Sequence, residues 1–128
     1  MQIKKLTPNL IVRNVEASLK FYREVLGLET AMTVPEQSPY VFAGVSNGTV
    51  ELFFNDQKVV AAEYPQLAAS IAASLTLYME VDSLQAVLER VQKAGAKISM
   101  PVTEQFYGMK EFAFEDVDGY TITIAEKM

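Results

Sequence analysis

NLIVRNVEASLKFYREVLGLE, residues 9–29, holds the pattern from which the fold is read. Leu10 and Val12 alternate with neighbours of different character, the period of a half-buried strand. Beyond Asn14 the period changes. Val15, Leu19, Tyr22 and Leu26 follow a helical spacing, while Glu16, Lys20, Arg23 and Glu24 turn to the other side. Asn14 is suited to capping the first turn, and Gly27 to the left-handed residue just past the last. One strand therefore feeds one amphipathic helix.

The same pattern returns later in the chain. Leu75, Leu77, Met79 and Val81 alternate as a strand, and Leu84, Val87, Leu88 and Val91 form a second helical stripe. Asp82 with Gln85 three residues on reads as a capping box, and Gly95 as the helix stop. Thr7 and Thr76, Val12 and Val81, Leu19 and Leu88 all stand 69 positions apart. Each helix is followed by strand-like runs that end in a hairpin. The first hairpin joins 40–45 to 49–55 through Asn47-Gly48, and the second joins 110–115 to 120–125 through Val117-Asp118-Gly119. This gives one unit over 1–55, a connector over 56–74 and a second unit over 75–128. Within the connector, LAASIAAS after Pro65 reads as a short helix.

Strand parity sorts the side chains. A two-residue turn at Asn47-Gly48 would set Val45 opposite Val50, Ala43 opposite Leu52 and Val41 opposite Phe54, an apolar face fit to lie under a helix. The other face would join Gly44 with Glu51, Phe42 with Phe53 and Tyr40 with Asn55. In the second hairpin a three-residue loop sets Phe114 opposite Ile122 and Phe112 opposite Ile124 on the helix side. Ala113 with Thr123 and Glu111 with Ala125 then fall on the other side. The uncovered face thus carries Tyr40, Phe42, Glu51, Phe53, Asn55, Thr76, Tyr78, Glu111 and Thr123. Rings interspersed with a few polar groups suit a ligand-facing surface. A solvated sheet face and an oligomer interface are the other readings of the same pattern.

Composition removes whole classes of chemistry. The 128 residues include no cysteine and no histidine, which excludes thiolate catalysis, Cys-bound zinc and Ser-His-Asp or Cys-His arrangements. Any metal would rest on oxygen ligands. A net charge of −5, with no basic block longer than Lys4-Lys5, argues against nucleic acid as a partner. With 50% hydrophobic and 21% charged residues the chain can bury a core of its own. The uncharged stretch from Pro65 to Met79 is too short to cross a bilayer, and the start lacks the apolar run of a signal peptide, so the expectation is no membrane and a cytoplasmic location.

The segments 9–29, GTVELFF (48–54) and GMKEFAFEDVDGYTITIAE (108–126) resemble the vicinal oxygen chelate superfamily, which includes glyoxalase I, extradiol dioxygenases, fosfomycin-resistance enzymes and bleomycin-resistance proteins. Lys110-Glu111-Phe112 and Asp116-Val117-Asp118-Gly119 carry the hairpin part of that likeness. The resemblance implies an α+β fold of two βαβββ modules forming a half-open barrel, within a homodimer, with a ligand cleft on the concave face. Enzymes of the superfamily hold a divalent metal at four positions, which fall here on Thr7, Glu51, Thr76 and Thr123. Three hydroxyls and one carboxylate make a poor site for zinc, nickel or iron.

The resemblance is therefore to the bleomycin-resistance branch, and it implies binding without a metal or other cofactor. The expected function is sequestration of a cationic or amphipathic small molecule in an acidic, aromatic cleft. Tyr40, Phe42, Phe53 and Tyr78 would stack on the ligand, and Glu51 and Glu111 would select positive charge. Asn55, Thr76 and Thr123 share that surface, and Tyr107 and Met109 beside Gly108 would line the rim. The structural alternatives are a Glu51 bonded to Thr76 or Thr123 and a Glu111 on the surface of an edge strand. Asp116 and Asp118 read as turn residues. A second function class is an enzyme of the same fold, a lyase, isomerase or dioxygenase, with Glu51 as base and Tyr78 or Tyr107 as proton donor. A third is a regulatory module whose sheet face binds a protein.

Overall fold

A computed structural model describes residues 1–72 and 74–128. The first unit runs β1 (Asn9–Val12), α1 (Val15–Leu26), β2 (Glu29–Val34), β3 (Phe42–Ser46) and β4 (Glu51–Asp56). Short helices α2 (Gln57–Glu63) and α3 (Pro65–Ala68) follow. The second unit runs β5 (Thr76–Glu80), α4 (Leu84–Ala94), β6 (Ile98–Glu104), β7 (Met109–Glu115) and β8 (Thr121–Lys127). Each unit makes one four-stranded sheet, ordered β1-β4-β3-β2 and β5-β8-β7-β6. The first strand of each unit pairs parallel with the last, and the other pairings are antiparallel. The fold is α+β, two βαβββ units forming a half-open barrel. No described helix is long and apolar enough to cross a membrane.

Local chemistry explains both long helices. Asn14 accepts from the Ala17 amide at 2.8 Å, and Gly27 takes φ 68° past the end of α1. The buried stripe is wider than the spacing suggests. Ser18, Phe21 and Val25 join Val15, Leu19 and Tyr22, while Leu26 is only half-buried. In α4 the capping box does not form. Ser83, one residue later than Asp82, caps by accepting from the Ala86 amide at 3.2 Å, and the Leu84 amide goes to Glu126 Oε1 at 2.7 Å. Asn14 and Ser83 are 69 apart, so the repeat locates the cap where the local motif does not. The connector helix also differs. Among the described residues of LAASIAAS only Leu67 and Ala68 are helical, as the end of α3, and Ala72 and Ser74 have φ of 67° and 64°. Ala73 lies outside the described residues.

The second hairpin keeps the expected register, with Phe112 opposite Ile124 and Phe114 opposite Ile122. The first is displaced by two residues: Ala43 faces Phe54, Val45 faces Leu52, Gly44 faces Phe53 and Phe42 faces Asn55. Asn47 causes the displacement. Its Oδ1 accepts from the amides of Thr49 (3.0 Å) and Val50 (2.8 Å), which ties both residues into a four-residue turn. A displacement of two preserves parity, so every side chain keeps its face.

The core lies between the sheets and the helices. Val12, Tyr22, Val25, Val45, Phe54, Phe112, Phe114, Ile122 and Ile124 are fully buried. The Tyr22 ring meets Phe54 at 5.0 Å, and Phe21 meets Phe114 at 6.2 Å, so the aromatic core crosses between units. The turn of the second hairpin is also docked onto the first unit. Tyr22 donates to Asp116 Oδ2 at 2.6 Å, and the Arg13 amide and guanidinium donate to Asp118 Oδ1, each at 3.1 Å. The Tyr120 hydroxyl bridges the N–H (3.1 Å) and C=O (2.9 Å) of Ile11. Asp116 and Asp118 thus act as turn residues that also join the two units.

Candidate functional site

The concave face of the first sheet is aromatic and partly open. Phe42 on β3 and Phe53 on β4 stand edge to face, with centroids 5.0 Å apart. Gly44 gives Phe53 its place. A Cβ at Gly44 would lie 3.3 Å from the Phe53 ring and 3.2 Å from Met32 Cγ, so only the bare backbone leaves both side chains undisturbed. Met32 and Val34 on β2 extend the apolar wall and are close to half exposed. Asn55 donates to Asn9 rather than projecting free. Tyr40 does not join this wall. It precedes β3, its amide donates to Glu16 Oε2 at 3.0 Å, and its ring packs against the hydrophobic core.

Glu51, at the start of β4, is not the free acid expected from its neighbours in sequence. Lys5 Nζ lies 2.8 Å from Oε1, and the Thr7 hydroxyl donates to the same oxygen at 2.9 Å. These two partners hold the Glu51 carboxyl below its usual range, Lys5 contributing most. Glu51 therefore binds neither Thr76 nor Thr123, and its charge is matched by Lys5. Lys5 shares the parity of Thr7 on the arm that leads into β1, and that signal was present in the sequence.

The concave face of the second sheet is polar, and its carboxylate is covered by side chains that are themselves exposed. Glu111 is 3% exposed, although its strand runs next to β6 at the rim of the sheet. It is neither on an edge strand nor at the surface. The phenols of Tyr78, on β5, and Tyr107, on the turn before β7, both donate to its carboxylate, Tyr107 at 2.8 Å, and the Gln105 amide reaches it at 3.5 Å. Glu111 in turn raises both phenols, Tyr78 to about 12. Among the described residues no Lys or Arg pairs with Glu111. Beside this cluster the hydroxyls of Thr76 and Thr123 are 2.7 Å apart. An open groove of about 380 Å³ runs between the start of β4 and β5, lined by Leu6, Pro8, Glu51, Leu77 and Tyr78 among others, and touches neither Phe53 nor Glu111. Sequence reading missed Lys5, Gln105 and Met32 as neighbours of the candidate residues.

The four positions matching the superfamily's metal ligands form two internally bonded pairs, Thr7 with Glu51 and Thr76 with Thr123. A neutral hydroxyl is a weak donor to a divalent transition metal, and the one carboxylate is already paired with an ammonium group. No three described His, Cys, Asp or Glu side chains cluster as a metal site. This donor set does not fit the superfamily's metal.

Comparison with known proteins bears on the fold. Residues 3–124 match the family model of the Glyoxalase/Bleomycin resistance protein/Dioxygenase superfamily. No curated protein sequence matches the chain. Among solved structures, TioX from Micromonospora sp. ML1 is similar at TM-score 0.78 and 13% identity, covering 98% of this chain and 99% of that one. A hypothetical protein, SA1046, from S. aureus is similar at TM-score 0.80 and 18% identity, covering 98% and 95%. A glyoxalase/bleomycin resistance protein/dioxygenase family enzyme from Burkholderia phytofirmans PsJN is similar at TM-score 0.77 and 23% identity, covering 95% and 97%.

Proposed function

The chain belongs to the Glyoxalase/Bleomycin resistance protein/Dioxygenase superfamily, and from that premise we propose that it binds a cationic, ring-containing small molecule without a metal. The action would be sequestration, as in the bleomycin-resistance branch, by a cytoplasmic homodimer. The observation that carries this reading is Glu111, a buried carboxylate held, among the described residues, by neutral donors alone and roofed by two tyrosines. A ligand cation would take the place left without a positive side chain, with Tyr78 and Tyr107 around it. Phe42 and Phe53 would receive an apolar ring, a contribution of about 0.5–1.5 kcal/mol per aromatic pair beyond area burial. Glu51, neutralised by Lys5, contributes less to charge selection than its sequence position suggests.

The test is calorimetry with benzyltrimethylammonium and its neutral isostere, neopentylbenzene. Preference for the cation in the wild type, lost in Glu111→Gln and weakened for both probes in Phe53→Ala, would support the reading. Equal affinity for both probes would defeat it. Light scattering at graded concentrations tests the dimer.

A second reading, a divergent lyase, isomerase or dioxygenase, is favoured by the hydrogen-bonded Tyr78–Glu111–Tyr107 group, which is arranged to pass a proton. It places the base on Glu111 rather than Glu51. Elemental analysis of purified protein, with methylglyoxal–glutathione turnover under added Ni²⁺ or Zn²⁺, tests the metal-dependent form.

A further inference from the structure

The two units repeat each other at the hairpin junction, but only one junction is filled. In the second hairpin Asp116 Oδ1 accepts from the amides of Asp118 and Tyr120, each at 2.9 Å, and the Asp116 amide closes the turn on Tyr120 O at 2.9 Å. Asn47 does the same in the first, accepting from Thr49 and Val50 and closing on Val50 O at 3.2 Å. Val50 therefore stands where Tyr120 stands in the second unit.

The strand facing each turn is equivalent as well. β1 gives its alternate peptide groups to β4, as in the bond from Phe53 N to Pro8 O, which directs the N–H and C=O of Ile11 away from β4. The Tyr120 phenol occupies that edge and bonds both groups. β5 gives its alternate groups to β8, as in the bond from Val81 N to Ala125 O, which directs the N–H and C=O of Glu80 away from β8. Ile11 and Glu80 are 69 apart. Among the described residues nothing bonds the two Glu80 groups, and Val50 is too short and too apolar to do so. In place of a tyrosine ring there is an open cleft of about 360 Å³, walled on one side by Val25, Val50 and Val87 and rimmed by the polar Glu80, Asp82 and Arg90.

We propose that this cleft binds a small monocyclic phenol, its ring between Val25, Val50 and Val87 and its hydroxyl bridging the N–H and C=O of Glu80, as Tyr120 bridges Ile11. A phenolic hydroxyl both donates and accepts, which is what an edge peptide pair requires. The valine side of the cleft takes the ring, and the polar rim stays in water. The cleft adjoins the groove at Val50, Met79 and Glu80 but uses neither Glu111 nor Phe53.

The experiment is amide-resolved NMR titration of the full chain with 4-methylphenol, using 4-methylanisole and toluene as partners lacking the hydroxyl proton or the oxygen. The expected result is saturable shifts centred on Glu80 and Val50, at least fivefold tighter for 4-methylphenol than for either partner. Val50→Tyr, which supplies the missing ring, should abolish those shifts and raise the melting temperature. Glu111→Gln and Phe53→Ala should leave them unchanged, which separates this cleft from the concave-face reading. Shifts centred on Phe53 or Tyr78, equal binding of toluene, or none below 10-millimolar phenol on the order of weak fragment affinity would overturn the proposal. If Val50→Tyr does not fold, Val50→Phe, which fills the cleft without a hydroxyl, should still abolish the 4-methylphenol shifts, and shifts that persist in Val50→Phe would overturn the proposal.

Discussion

The two units share an order of elements, a repeat and a cap, yet they differ in what they do with their two exposed ends. The turn of the second unit is locked to the first by Tyr22, Arg13 and Ile11, whereas the turn of the first faces an open cleft. The concave face of the second sheet folds its tyrosines over a carboxylate, whereas that of the first leaves Phe42 and Phe53 half open. One unit has spent its polar groups on itself, and the other keeps apolar surface for something else. A duplicated fold can thus keep its core constant while the residues at its rims set separate tasks.

Changes that contrast the two units should break this comparison in a definite order. Phe112→Ala, in the sealed core of the second unit, should cost about 4 kcal/mol. Phe53→Ala, on the open wall of the first, should cost about 1 kcal/mol, as read by urea denaturation. Equal losses would mark Phe53 as core rather than site. Asp116→Ala leaves the Tyr22 hydroxyl and two turn amides without a partner and should cost about 3 kcal/mol, against about 1 kcal/mol for Asn47→Ala at the exposed turn.

Asp116 in the second unit and Glu51 in the first make pH-dependent contributions of opposite sign. Burial raises the Asp116 carboxyl above its usual range, so the native state takes up that proton at a higher pH than the unfolded chain does. Its contribution to stability is complete below the unfolded value of 3.8 and is lost as pH rises through the native value. Glu51, lowered by Lys5, contributes above 4.5 and loses that contribution as pH falls through its native value. Lowering the pH from 6 to 4 should therefore move the stability difference toward wild type when the reference is Asp116→Asn. Carrying it below 4 should move it away from wild type when the reference is Glu51→Gln.

Smaller effects sharpen the picture. Glu111→Gln should bring the Tyr78 phenol down from about 12 toward 10, seen in absorbance titration of the ring. A phenol that stays at its raised value would mean that burial, not the carboxylate, sets it. Gly44→Ala should move Phe53 or Met32 by a few tenths of an ångström, weakening aromatic probe binding about twofold with little change in melting temperature.

Much of the fold was legible because its signals are local. The stripe from Val15 to Tyr22, the Asn47-Gly48 and Asp118-Gly119 turns and the 69-residue repeat need no knowledge of distant contacts. Parity survived even a wrong register, because Asn47 displaced the pairing by an even number of residues. The candidate site was legible only as a face. Phe42, Phe53, Tyr78 and Glu111 were correctly sorted, but Tyr40 turned to the core once its amide found Glu16, and Glu51 found Lys5 on an arm outside the strands. The burial of Glu111 depends on a turn several residues away that brings Tyr107 back over it.

The sequence by itself determined the two long helices, the strands of the two hairpins and the face each of their residues takes, and that no thiol or imidazole chemistry is possible, since these follow from spacing and residue type alone. Only the tertiary structure decided which carboxylate is paired and which is not, and which hairpin docks and which leaves a cleft. Those outcomes depend on contacts such as Tyr22 with Asp116, between residues far apart in the chain, and their energies are set by burial that no local pattern encodes.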